Sequence, residues 1–260
     1  MKPADLIQFK QRGEKITCLT AYDASLAHLM DGCGIDLILV GDSLGMVVQG
    51  EKSTRTVSVP EMVYHTKAVA KSCDQALVIA DMPYQSYEEA SIALENAKLL
   101  IDAGAQMVKL EGGVERQKVV EILIENDISV CAHLGLQPQK VKKASDYKVQ
   151  GKDLVGAKAI IEDALLLESL GVEALVLECV PSSLAKLVSE QLSIPIIGIG
   201  AGKDCDGQVL VCYDMLGITQ GKLPRFVRDF TLENFRIPMA IKAFVQAVKN
   251  QSFPSEKESY

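Results

Sequence analysis

Tryptophan is absent and histidine is scarce, three residues in 260, so the chemistry open to this chain rests on acids, amines and hydroxyls. No HxH or HExxH spacing occurs, which argues against a zinc site. The seven cysteines (18, 33, 73, 131, 179, 205 and 212) form no CxxC pair and are odd in number. They read as buried free thiols in a reducing compartment, and none is assigned a role. Basic clusters are missing too. The net charge of −7 is spread along the chain, and no Lys/Arg stretch interleaved with aromatics could neutralise nucleic-acid phosphates. No apolar run approaches the roughly 18 residues of a membrane span, and the opening MKPADLIQFKQRGEK lacks the apolar core of a signal peptide. A cytoplasmic protein with neither nucleic acid nor membrane as partner is therefore expected.

What is present is a repeated pattern. Eight apolar runs end in a polar or charged cluster: TCLTAYD, LILVGDS, LVIADMP, MVKLEGG, VCAHLGL, LVLECVP, IIGIGAG and VLVCYDM. Such runs are strands buried on both faces, and a charge at the exit must be solvated, paired or bound to metal. Helical periods lie between them. In 86–104, Ser86 and Glu89 predict a capping box, Ala90, Ala93, Leu94, Ala97, Leu100 and Ile101 share a face, and Gly104 marks the stop. Segments 61–72, 115–126, 155–170 and 183–192 read the same way. Strand and helix alternating over one chain of this length predict a single-domain (β/α)8 TIM barrel spanning residues 1–260. Residues 3–13 should form a short helix plugging its lower end, residues 49–59 a long loop, and residues 252–260 a polar, frayed tail. The link 203–208 is too short for a full helix.

Active sites of such barrels lie at the C-terminal ends of the strands. Those ends hold Asp23, Asp42 with Ser43, Asp81, Lys109 with Glu111, His133 and Glu178. Alternation puts Lys109 and Glu111 on one face. Asp42, Asp81 and Glu111 brought together would repel one another without a cation, and an all-oxygen ligand set suits Mg²⁺. Each acid alone could equally cap a helix or form an ion pair. Asp23 is better read as the cap of the helix that follows it. IGIGAGKDCDG is permissive of a phosphate loop, but no Gly- and Ser-rich partner loop follows, so phosphate is disfavoured. His133 is as well explained by a hydrogen bond within the mouth as by a ligand contact.

TAYD (20–23), VGDSLGMV (40–47), DMPY (81–84), KLEGG (109–113), HLGLQPQ (133–139), LECVP (177–181), IGIGAG (197–202), DGQVLV (206–211) and DMLG (214–217) stand in order and in register. Together they resemble the ketopantoate hydroxymethyltransferase family. The resemblance implies a barrel enzyme of pantothenate biosynthesis, assembled as a homo-oligomer, typically a decamer. It uses Mg²⁺ and takes the one-carbon unit for 3-methyl-2-oxobutanoate from 5,10-methylenetetrahydrofolate. It implies Asp42 and Asp81 as metal ligands, Glu111 as the third carboxylate, Ser43 and Lys109 at the keto acid's carboxylate, Glu178 as general base, and His133 at the mouth. The chain departs from the family at Glu51, where His or Tyr is commoner, and at Gln137, where Thr is common. Two other readings are open. One is an Mg²⁺ barrel lyase of the phosphoenolpyruvate mutase and isocitrate lyase kind, although no KKCGH-type loop occurs. The other is a noncatalytic keto-acid binder, which would have no need of Glu178.

Overall fold

A computed structural model describes residues 1–143 and 146–260. In it the apolar runs become β1 (Ile16–Thr20), β2 (Leu37–Val40), β3 (Leu77–Asp81), β4 (Met107–Glu111), β5 (Val130–Gly135), β6 (Ala174–Glu178), β7 (Ile196–Ile199) and β8 (Gly207–Leu210). All neighbours pair in parallel, and β8 returns to β1 to close the barrel. The strands are buried almost throughout, because helices cover the outside and side chains fill the inside.

The outer ring is α2 (Ala24–Gly32), α4 (Val59–Ala70), α5 (Ala90–Asp102), α6 (Gln117–Glu125), α7 (Leu154–Ser169), α8 (Ser182–Gln191) and α10 (Ile237–Lys249). The shorter α1 (Leu6–Gln11), α3 (Leu44–Val47) and α9 (Cys212–Met215) sit at the barrel ends. Local chemistry sets the boundaries. Ser58 and Glu61 make a capping box ahead of α4, and the Asp153 side chain accepts from Gly156 N to start α7, a cap worth about 1 kcal/mol. Gly171, at φ +97°, follows α7 in a conformation that side chains with a Cβ resist. As expected, β7 and β8 are joined without a helix.

Two expectations are corrected. The Ser86–Glu89 capping box does not form, and α5 begins only at Ala90. Tyr87 is drawn inward, buried at 2% exposure with its hydroxyl bonded to Gln139, and this tertiary contact holds residues 84–89 out of the helix. Downstream the apolar face is as expected, with Ala93, Ala97 and Leu100 buried. The tail is docked rather than frayed. Phe253 is buried against Phe230 and Phe244, with ring centroids 5.5 and 5.9 Å away, and Arg228 pairs with Glu258 at 2.7 Å. Its far end reaches the barrel mouth, where Ser182 N and Oγ donate to the Tyr260 carbonyl.

Segment 3–13 lies across the lower end, as expected. Leu6 is fully buried, and Lys10 donates to Ser189 O, Ile194 O and the Asp206 carboxylate beside the starts of β7 and β8. Between β2 and α4 the chain forms α3 and one 3₁₀ turn (Thr54–Thr56), whose Arg55 stacks on the Tyr84 ring at 4.2 Å.

Candidate active site

Register assembles the mouth. Lys109 and Glu111 point inward from β4, and paired residues on parallel neighbours face the same way. Asp81 lies opposite Lys109, and His133 lies opposite Glu111, so these side chains enter the barrel in two successive layers. Glu178 ends β6 opposite Gly135. Gly135 is required there: at φ +86°, any Cβ would collide with the Glu178 carbonyl oxygen, which accepts from Leu136 N. Immediately after Glu178 the chain turns sharply through Cys179, a non-glycine residue at φ +49°.

Below this layer the barrel is apolar, lined by Cys18, Leu39, Ile79, Cys131, Val176 and Val209. That lining offers Lys109 no polar side chain beneath it, and the amine turns to Asp81 Oδ1, 2.5 Å away. Asp81 Oδ2 accepts from Asp42 N at 2.9 Å, which ties the loop after β2 to the end of β3. Gln139 links the other acids. Its Nε2 donates to Asp42 Oδ2 at 2.8 Å, and its backbone N donates to Glu111 Oε2 at 3.0 Å. His133 stands between two carboxylates, with Nδ1 3.6 Å from Glu111 and Nε2 3.3 Å from Glu178. Ser43 Oγ pairs with the Tyr22 hydroxyl at 2.8 Å. Asp23, as expected, is a cap: it accepts from Ser25 N and Leu26 N and stands outside this cluster of contacts.

The electrostatics follow from burial. Asp42, Asp81, Lys109, Glu111 and His133 are each 5% exposed or less. Burial and the neighbouring Asp81 push Asp42 up to about 7, and burial lifts Glu111 well above the usual carboxylate range. Burial alone would lower the Lys109 ammonium, but Asp81, Glu111 and Asp42 outweigh it and keep the amine protonated. Burial, helped by Lys109, holds His133 neutral, so its contacts to Glu111 and Glu178 are not ion pairs. Neither ring nitrogen has a hydrogen-bond partner. Glu178 is pushed up to about 8, again by burial.

Three buried acids thus face one buried ammonium. Among the described residues no group of three His, Cys, Asp or Glu side chains stands as a ready-made metal cage. The donor set nonetheless fits a small divalent cation: every donor is a hard oxygen, and Asp42 and Glu111, lifted first by burial, are raised further by the neighbouring acids, a repulsion that a cation would relieve.

The family model for ketopantoate hydroxymethyltransferase matches residues 1–256. The chain belongs to this family. Two relatives named 3-methyl-2-oxobutanoate hydroxymethyltransferase are closely similar. The one from Vesicomyosocius okutanii is 62% identical over 97% of both chains; the one from Marinobacter nauticus is 51% identical over 98% of this chain and 97% of its own. As a member of the ketopantoate hydroxymethyltransferase family, the chain is an enzyme of pantothenate biosynthesis. It hydroxymethylates 3-methyl-2-oxobutanoate to form ketopantoate, and that activity implies methylenetetrahydrofolate as co-substrate. In fold it is similar to a phosphonopyruvate hydrolase crystallised with oxalate and Mg²⁺ (TM-score 0.62, 14% identity, 99% of this chain and 93% of that one). It is also similar to a phosphoenolpyruvate phosphomutase from Streptomyces platensis (TM-score 0.63, 14% identity, 84% and 83%). Among the described residues no helix is long and apolar enough to cross a membrane.

Asp42, Asp81, Lys109, Glu111, His133 and Glu178 form one connected set of contacts and electrostatic couplings, and Ser43 joins it through the loop after β2. Sequence reading missed Gln139, Tyr87 and Tyr22. Alternation carries no signal for Gln139, which lies beyond the end of β5 in a 3₁₀ turn begun by Pro138. The second tyrosine of DMPYQSY read there as the start of a helix.

Proposed function

We propose that hydroxymethyl transfer proceeds by removal of the C3 proton of 3-methyl-2-oxobutanoate, with Glu178 as general base. The observation that carries this reading is a glutamate at a strand end whose carboxyl is pushed up to about 8 by burial. A carboxylate at its ordinary value of about 4.3 would be too weak a base to take a proton from carbon near neutral pH. An ion pair with a basic neighbour would have depressed it instead, and among the described residues the one group within 4 Å that could form one, His133, is neutral.

Asp42, Asp81 and Glu111 are the residues that would hold Mg²⁺, which when bound supplies positive charge where the substrate's keto oxygen becomes negative. Lys109 and Ser43 would take the substrate carboxylate. Lys109 is charged and held from one side by Asp81, which leaves its other donors for an anion. Water hydrolyses the methylene bridge of the folate, breaking both carbon–nitrogen bonds to release tetrahydrofolate and a formaldehyde equivalent. The proton leaves C3 for Glu178, the electron pair at C3 forms the new carbon–carbon bond as the formaldehyde π pair moves to its oxygen, and the proton returns from Glu178 to that oxygen to give the hydroxymethyl group. His133, neutral and with both nitrogens free, would donate to the carboxylate or to the substrate and so hold the base in place.

The family's homo-oligomer, a decamer, and a cytoplasmic location belong to the same reading. Exposed Leu154, Leu232 and Phe235, at 89, 75 and 95%, are apolar surface that contact between subunits would cover. The seven unpaired cysteines suit a reducing compartment.

Proton NMR of the keto acid in D₂O with the purified protein tests the mechanism. The expected result is loss of the C3 proton signal with Mg²⁺ but not with EDTA, before any folate is added, and ketopantoate once methylenetetrahydrofolate is supplied. Ketopantoate formation without prior exchange would argue against a separate enolisation step.

A further inference from the structure

Gln139 occupies a place in the mouth that none of the roles above accounts for. It is 3% exposed, and every polar atom of its side chain is engaged. Nε2 donates to Asp42 Oδ2 at 2.8 Å and to the Met82 carbonyl at 3.0 Å, using both amide hydrogens. Oε1 accepts from the Tyr87 hydroxyl at 2.5 Å. That hydroxyl in turn accepts from Glu111 N at 3.3 Å, so its one hydrogen is committed to Gln139. The backbone N of Gln139 donates to Glu111 Oε2 at 3.0 Å.

The direction of every bond follows from this. A carbonyl can only accept, which fixes Nε2 toward Met82 and Asp42 and Oε1 toward Tyr87. The circuit runs from the Glu111 backbone through Tyr87 and Gln139 back to the Glu111 side chain, with a branch to Asp42. These two acids come from loops and strands that are not neighbours in the barrel, β2 and β4, and one residue engages an oxygen of each, Asp42 through its side-chain amide and Glu111 through its backbone N–H. Bound in this way, neither carboxylate can rotate freely or swing away from the other despite their repulsion.

We propose that Gln139 is a positioning residue for the cation-holding carboxylates. It fixes the inner oxygens of Asp42 and Glu111 so that their remaining lone pairs are presented together, and Tyr87 acts through it by locking the orientation of the amide. The proposal rests on the metal reading given above. It predicts a specific pattern. Gln139→Met keeps the volume but removes all three side-chain hydrogen bonds. Gln139→Glu keeps an acceptor for Tyr87 but sets a carboxylate against Asp42. Tyr87→Phe leaves the amide in place but frees it to turn.

The test is a Mn²⁺ titration of the full-length protein, followed by electron paramagnetic resonance, with thermal melting measured in parallel. The expected result is a Kd at least tenfold weaker for Gln139→Met and for Gln139→Glu, and several-fold weaker for Tyr87→Phe. The Tyr87→Phe/Gln139→Met double variant should be no weaker than Gln139→Met alone, because Tyr87 acts through an amide that is no longer there. Affinity within twofold of wild type in a folded Gln139→Met variant, or additive losses in the double variant, would overturn the proposal while leaving the metal reading intact. Failure of the wild-type protein to bind Mn²⁺ at all would overturn both. Should Gln139→Met not fold, Tyr87→Phe decides alone: an unchanged Kd counts against the proposal.

Discussion

At the N-terminal ends of the strands, Asp31 accepts from the backbone N–H groups of Asp74, Gln75 and Ala76, and Asp206 accepts from Lys10, Ser189 and Ile196. At the C-terminal ends, Asp42 and Glu111 share the donors of one glutamine, and Glu178 stands beside a neutral imidazole. The same residue types serve opposite ends of one barrel. Burial would raise Asp31, but three backbone donors outweigh it and leave its carboxyl below the usual range, whereas Asp42 and Glu178 are pushed up to about 7 and about 8. Asp31 stabilises the fold as an anion. The upper acids are held in a state that costs stability when ionised, as acids poised for chemistry near neutral pH are.

The sharpest way to break this contrast is to neutralise one acid at the mouth. Glu178→Gln should lower both turnover and C3 exchange about 10²- to 10⁴-fold while keto-acid binding, followed by calorimetry, survives. Wild-type exchange in that variant would remove Glu178 as the base. Lys109→Met should raise the KM for the keto acid about 10- to 100-fold, the loss expected when a buried charged donor to a carboxylate is removed. At the lower end, Asp31→Ala should cost about 3 kcal/mol in urea unfolding, because three backbone N–H groups lose their acceptor, with KM unchanged. A large loss of substrate affinity there would mean that the two ends are not separate in function.

The smallest effect is on the pH dependence of stability. An unfolded Glu178 would lose its proton near 4.3, but in the fold it keeps the proton up to about 8. Between those values the folded state binds more protons, so stability falls as pH rises through that window. Glu178→Gln removes this dependence, and its melting temperature at pH 8 should exceed that of the wild type by about 2–4 °C per kcal/mol relieved, with little difference at pH 4. Asp31 has the opposite sign. Its contribution is complete above its unfolded value of about 3.9 and is lost as pH falls through its depressed folded value, so Asp31→Ala should differ least from wild type in acid.

Strand periodicity made much of this legible in advance. An apolar run ending in an acid places that acid at a rim whatever the rest of the fold does, and alternation alone puts Lys109 and Glu111 on one face. Although the caps that start them, Ser58 and Asp153, were not picked out, the helical segments 61–72 and 155–170 were readable to within two residues of their ends. The Ser86 box was not, because the burial of Tyr87 overrides a local cap worth about 1 kcal/mol. Nor was the docking of the tail, whose polar composition hides the phenylalanine that packs it against the core, Phe253.

From the sequence alone came the eight strands, the mouth at their C-terminal ends, and the acids and amine that gather there. These follow from a two-residue period and from the cost of burying an unpaired charge, both local properties of the chain. Only the tertiary structure decided which groups hold those acids. The Gln139 contacts to Asp42 and Tyr87 span 97 and 52 residues, and no local pattern encodes the meeting of loops brought together by closing a barrel.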